Sequence, residues 1–437
     1  MDRLTPLSYA FLAAEDVDPA ACLVIGSMAV LDGPTPSLAE LRELVAGRLP
    51  SVPRYRQRVV STSLGLRGPA WVDAPAVEVA DHVTARRVPA PGGRREVAAL
   101  VAEVMAERMD RDRPLWDVTL CEGLADGQWG LLSRVHHALA DGVSGTGLYR
   151  VLFDAETADA HDGQNGITRL PPLPPGAAPG VALRGLGTTA LAAARGTVAL
   201  GASMWPVSRS GLVGPLAGDR RYAWTEVSIS ESAEVRHALG VTVNDLVIAS
   251  VAGGLRELLL DRGHQPDPHA LRSLLPVSSR TPGTAGVPDN QVTLMLSLLP
   301  VEIDDPVERV RAAHERVARL RSAREPEAGV AWQAVAGLVP FPVLRFWMRT
   351  ALRLPQQSVA TVTTNVPGPR EPMTCLGRPV QHLLPVVPIA DRVRIGFCIL
   401  SYVDHLVFGI TADAASTPEV EQLAANVGAS WRAVVDA

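Results

Sequence analysis

Two stretches of alternating strand-like and helix-like segments, separated by the proline-rich run LPPLPPGAAPG at 170–180, constrain this chain more than any other feature. Prolines at that density remove ladder and helix donors, so the run bridges two lobes in an extended form. Before it, ACLVIGSMAVLDG (21–33) and WGLLSRVHHAL (129–139) read as strands. SLAELRELVAGRLP (37–50, with Ser37 as N-cap), GRREVAALVAEVMAERMD (93–110) and GTGLYRVLFDAE read as helices. After it, AWTEVSIS, LRSLLPVSSR, NQVTLMLSLLPVEI and SVATVTTNVPGP read as strands, and RVRIGFCILSYVDHLVFGITAD as a hairpin. VTVNDLVIASVAGGLRELLLDRG, PVERVRAAHERVARLRSA and a segment from Glu419 read as helices. A chain of 437 residues exceeds one ordinary core and suits two lobes. The expected class is therefore α/β, with an N-terminal lobe at 1–155, a proline-rich linker and apolar helix at 156–220, and a C-terminal lobe at 221–437.

Composition removes several kinds of chemistry. A net charge of −5 argues against a nucleic-acid surface. All 41 basic residues are arginine, which excludes a Walker A lysine, a pyridoxal-phosphate Schiff base and a biotinyl lysine. Cysteines at 22, 121, 375 and 398 form no CxxC and no metal spacing, and the acidic start is unlike a signal peptide. Both observations point to a reduced, cytosolic protein. No uncharged apolar run reaches the ~18–20 residues of a membrane span. Two segments, 181–207 and 330–355, are rich in Ala, Val, Leu and Trp with scattered arginines. They are either helices packed on a core or a surface that touches lipid.

The stretch LLSRVHHALADGVSG (131–145) carries the chemistry. On a strand, His137 shares a face with Val135, Ser133 and Leu131, while His136 points the other way with Arg134. The two rings therefore cannot both reach one reacting atom. His137 lies nearer the loop, and Gly142 allows a turn that can hold Asp141 back against it. Three readings stand at this point: a buried strand-end histidine, a metal site on His137 and Asp141, or a general base. The metal reading lacks a third ligand at a sensible spacing. GVSGTG is not a nucleophile elbow, because Thr146 occupies the last glycine position. GLGTTA (185–190) matches a dinucleotide fingerprint only formally, since no strand precedes it.

The pattern HHALADG resembles the HHxxxDG motif of the acyl-CoA-dependent acyltransferase superfamily. RLTPLSYAFLAAED at the start, RMDRDRPLWDVTLCEGL (108–124), TVNDLVIASVAGGLRELL (242–259) and TTNVPGPREPMTCLGRPV (363–380) narrow the resemblance. Together they are similar to the bacterial wax ester synthase/diacylglycerol acyltransferase family over nearly the whole chain. Three departures are visible: Ser8 in place of the usual aspartate, no histidine in DPAACLVIG, and Asp289 where glycine is frequent.

The resemblance implies two chloramphenicol-acetyltransferase-like lobes with a tunnel between them, and acyl-CoA as co-substrate with no further cofactor or metal. It implies His137 as general base on the hydroxyl of a diacylglycerol or long-chain alcohol, with no covalent intermediate; His136 and Gly142 complete the motif. Asn290, Thr363 and Thr364 are candidate oxyanion donors. Pro114, Leu115 and Trp116 are expected to pack around the acyl channel, and Asn244 and Asp245 to form a helix N-terminus. Asp141 is expected to be structural, with Arg280 as its candidate partner. Gly368 and its flanking prolines suit a rigid crossover loop. The expected partners are acyl-CoA, the acceptor lipid and a membrane or lipid-droplet surface, touched peripherally. The alternatives are an acyltransferase for a specialised-metabolite hydroxyl or amine, and a non-catalytic lipid-binding relative.

Overall fold

The structure, a computed structural model, describes residues 2–61, 68–139, 146–154, 211–278, 292–322 and 339–437. The proline-rich run, the apolar segment 181–207, Asp141, Gly142, Arg280 and Asn290 lie outside the described residues.

Strand β1 (Asp2–Arg3) leads into α1 (Pro6–Val17), β2 (Val24–Leu31) and α2 (Leu38–Arg48). Strands β3 (Gln57–Val60) and β4 (Ala70–Asp73) close with β1 into a small antiparallel sheet. Then come α3 (Val79–His82), β5 (Val83–Arg87), α4 (Arg94–Ala106), β6 (Trp116–Glu122), β7 (Trp129–His136) and α5 (Thr146–Leu152). The later part holds β8 (Arg220–Ser228), α6 (Ala233–Leu239), α7 (Val243–Asp261), β9 (Arg272–Ser278), β10 (Val292–Leu298), α8 (Pro306–Ser322) and α9 (Phe341–Arg353). It ends with β11 (Thr361–Val366), β12 (Thr374–Cys375), β13 (Arg378–Val386), β14 (Ile395–Tyr402), β15 (His405–Asp413) and α10 (Val420–Val435).

Helix starts follow local chemistry. Ser37 caps α2 in a reciprocal box with Glu40, as its sequence predicts. Thr5 caps α1 ahead of Pro6, and its hydroxyl also meets that of Ser8 at 3.0 Å. Ser8, the departure from the family's aspartate, thus serves the first turn of α1. For α7 the cap is Thr242, and Asp245 answers it from the third helical position.

Two six-stranded mixed sheets organise the lobes, in the orders β12-β13-β2-β7-β6-β5 and β10-β9-β11-β14-β15-β8. The first contains β12 and β13, which come from residues 374–386, so sheet membership does not follow the linear division at 221. The crossing runs through NVPGP. A Cβ on Gly368 would lie 1.9 Å from the Ser401 carbonyl oxygen, so only glycine lets this loop pack against the end of β14. Further links join the lobes: the Tyr222 hydroxyl donates to the Pro385 carbonyl at 3.0 Å, and Glu226 of β8 pairs with both His382 of β13 and His405 of β15.

All of β7 is buried. Leu131 and Val135 pack into one cluster with Leu115 and Trp116, while Leu132 packs into another with Val101 and Met105 of α4. Arg134 survives in that apolar setting because all three of its guanidinium nitrogens are hydrogen-bonded. It forks onto Asp117 across the ladder at 2.7 and 2.8 Å and donates to the Val104 and Glu107 carbonyls at the end of α4.

Candidate active site

His136 ends β7, and His137 follows it in a turn. The backbone N–H of His136 donates to the Leu115 carbonyl at 3.0 Å, and that of His137 to the Leu23 carbonyl at 2.8 Å. The histidine pair is therefore pinned to β6's approach on one side and to the start of β2 on the other. The His136 ring is buried; its Nδ1 accepts the Ala138 N–H at 3.0 Å, leaving the proton on Nε2, 3.3 Å from Glu15 Oε1. The His137 ring is half-buried and stacks on Phe11, with centroids 4.2 Å apart and planes 20° from parallel.

Phe11 and Glu15 are four residues apart on α1, hence on one face of it. One helix thus holds both rings: Phe11 covers the reactive one and Glu15 locks the other. The Glu15 carboxylate also accepts the Leu23 N–H at 2.7 Å and Arg111 Nη2 at 3.0 Å. Burial by itself would push this carboxyl up. The close approach of His136 Nε2, the Leu23 amide and Arg111 outweigh it and bring it down to about 2. Neither Phe11, Glu15 nor Arg111 stands out as a site residue in the sequence. The one available signal was their spacing within RLTPLSYAFLAAED and RMDRDR, segments that carry the family resemblance.

Leu115 and Trp116 are completely enclosed and Pro114 is buried. Trp116 donates its indole N–H to the Tyr55 carbonyl at 2.7 Å and stacks on His82, while the Leu115 carbonyl holds His136. These residues build the lobe's core and fix the histidine strand.

The second lobe presents β11. Thr363 is buried, accepts the Ser273 hydroxyl at 2.9 Å, and lies beside Phe397 of that lobe's own core. Thr364 is on the opposite face, in register with Cys398. That face carries Val366, which packs against the first-lobe cluster containing Ala138 and Leu139. Of the two threonines, then, Thr364 faces the histidine lobe and Thr363 faces away. Asn365 Nδ2 donates to Asn244 Oδ1 at 3.3 Å, tying NVPGP to the start of α7. Asp245 is buried, serves the Thr242 cap and pairs with His314 Nδ1 at 2.9 Å.

Burial holds the four thiols far above neutrality, at about 11 for Cys22 and about 12 for Cys121, Cys375 and Cys398. None is a thiolate nucleophile at neutral pH. Among the described residues, no group of three or more His, Cys, Asp or Glu side chains could hold a metal ion.

Comparison with known proteins gives a consistent picture. The profile of the wax ester synthase/diacylglycerol acyltransferase catalytic domain matches residues 4–247, and that of the same family's C-terminal domain matches residues 289–434. A Mycobacterium tuberculosis protein named as a probable diacylglycerol O-acyltransferase is 36% identical over 440 residues, covering 98% of this chain and 94% of its own. In structure, the wax ester synthase/diacylglycerol acyltransferase from Marinobacter aquaeolei superposes with a TM-score of 0.71 at 24% identity, covering 99% and 98% of the two chains. A starter condensation domain of rhizomide synthetase, solved with C8-CoA, superposes at 0.60 with 15% identity, covering 99% and 92%, and so shares the two-lobed fold.

Proposed function

This chain belongs to the wax ester synthase/diacylglycerol acyltransferase family, and from that premise we propose that His137 is the general base of its acyl transfer. The protein is an acyl-CoA-dependent O-acyltransferase of triacylglycerol or wax ester synthesis. An alcohol is a weak nucleophile at neutral pH. The His137 ring removes its proton as the oxygen attacks the thioester carbonyl, then returns that proton to the departing coenzyme A thiolate. The ester and free coenzyme A leave, no enzyme-bound acyl group forms, and no cofactor is required. The observation that carries this reading is the division of labour on α1. His136 is locked by a buried carboxylate, whereas His137 is half-buried and touches a phenyl ring.

Thr364 is the oxyanion donor in this reading, supported by its place on the face of β11 that packs toward the histidine lobe. Thr364→Val is expected to lower kcat by about 10²–10³. Thr363→Val is expected to leave kcat within a few-fold and to cost about 1 kcal/mol of stability through the stranded Ser273 hydroxyl. Steady-state rates and thermal melts of both variants check this, and equal kcat losses would reject the assignment.

The acceptor is a lipid alcohol, diacylglycerol or a long-chain alcohol, met by peripheral association with a membrane or lipid body. Free coenzyme A release from palmitoyl-CoA, measured with dipalmitin, hexadecanol, short amines or no acceptor, tests it. Release dependent on dipalmitin or hexadecanol is the expected result; release with amines alone would overturn the lipid-alcohol reading.

A further inference from the structure

Helix α9 buries none of its residues fully. The large hydrophobic side chains exposed on the described residues are Val343, Phe346, Trp347, Leu354 and Val403, and the first four lie on α9 or directly after it. Phe346, Trp347 and Leu354 are 64%, 65% and 65% exposed. Helical spacing puts Val343, Phe346, Trp347, Thr350 and Leu354 on one stripe. Arg353 borders the stripe, Arg345 and Arg349 lie toward α1, and Phe341–Arg353 contains no acidic residue. A contiguous aromatic and aliphatic patch of this kind is uncommon on a monomer without a use.

The opposite side of α9 lies on α1. The Phe341 ring meets Tyr9 edge-on, with centroids 4.9 Å apart, and Arg349 pairs with Asp16 at 3.3 Å. Two positions beyond Tyr9 is Phe11, which stacks on His137. The other oxygen of Asp16 holds Arg111 at 2.7 Å, and Arg111 holds Glu15. The exposed stripe is therefore one helix removed from both histidines.

We infer that α9 docks this protein on an anionic lipid surface, with Phe346, Trp347 and Leu354 entering the boundary of the acyl layer. Arg353 meets the lipid phosphates, while Arg349 keeps α9 joined to α1. Charge complementarity selects this occupant, because Arg353 borders the stripe and α9 carries three arginines and no acidic residue. At 13 residues α9 is too short to span a bilayer, so its contact is with the surface. The inference rests on the lipid-acceptor reading above in that it supplies the place where such an acceptor is met.

Sedimentation of the full chain with sucrose-loaded vesicles tests it. Vesicles of phosphatidylcholine carrying about 30% phosphatidylglycerol are expected to bind the chain ~10-fold more tightly than phosphatidylcholine alone, with the difference shrinking in salt. The double variant F346S/W347S is expected to lose ~10-fold or more in binding to either vesicle. R353Q is expected to lose about fivefold on the anionic vesicles only. Thermal melts establish that each variant is folded. Absence of wild-type binding, or variants that bind as wild type does, would overturn the inference. So would variants that dissociate a dimer on gel filtration while vesicle binding is unchanged, since the stripe would then be an interface between copies. Vesicle binding without acyl transfer to any acceptor would sink the functional reading and leave the docking intact. Transfer to dipalmitin or hexadecanol without vesicle binding would do the reverse.

Discussion

His137→Ala is expected to lower acceptor-dependent release of coenzyme A by about 10²–10⁴, the range a positioned general base supplies. The loss should appear in kcat and in kcat/KM alike, because the proton is shared with His137 only as the new bond forms. Stability should change little by comparison. The ring is half-buried, and its backbone N–H bond to Leu23 survives the substitution, whereas the stack on Phe11 does not. His136→Ala would differ. It empties a buried site and removes one of the three partners of the Glu15 carboxylate, so its main expected effect is on the melt. Rates within threefold of wild type for His137→Ala would remove it as the base.

Glu15→Ala carries the largest expected stability effect, a loss of about 3–5 kcal/mol, since Arg111, the Leu23 N–H and His136 would all lose one buried partner together. The same carboxylate gives a pH signature. Its folded pKa of about 2 lies below the ordinary 4.5, so its contribution is complete above pH 4.5 and is lost as pH falls toward 2. Over that interval the group contributes about 3 kcal/mol to the acid sensitivity of the wild type. Glu15→Gln should keep the shape, lower stability at pH 7, and flatten the decline between pH 4.5 and 2. Denaturant melts across that range decide it, and parallel curves for wild type and Glu15→Gln would sink the argument. Because Glu15 and Phe11 share α1, the variant should also move the His137 ring and lower kcat by about tenfold or more.

Much of the secondary structure is legible in the chain because it is local. Ser37 with Glu40, Thr242 with Asp245, and the hairpin between Tyr402 and His405 each depend on residues within a few positions of one another. The histidine motif is legible for a similar reason, being a run of adjacent residues. His137 lies one residue past β7, however, so strand alternation does not set its ring, and both rings meet α1. The glycine and prolines of NVPGP likewise announce a tight crossing. Asn244 illustrates the boundary. Its place at a helix start is readable, but its partner Asn365, on β11, is not.

The sequence by itself determined the two alternating halves, the family, and His137 as the base candidate, because periodicity and motif order are properties of neighbours along the chain. Tertiary structure decided the rest. It brought Glu15 and Phe11 across more than a hundred residues to the histidines and gave β13 to the first sheet. It also turned Thr363 into one core and Thr364 toward the other lobe. Such pairings are fixed by which apolar faces are buried against each other, and a carboxylate reveals its role only once burial removes water as its alternative partner.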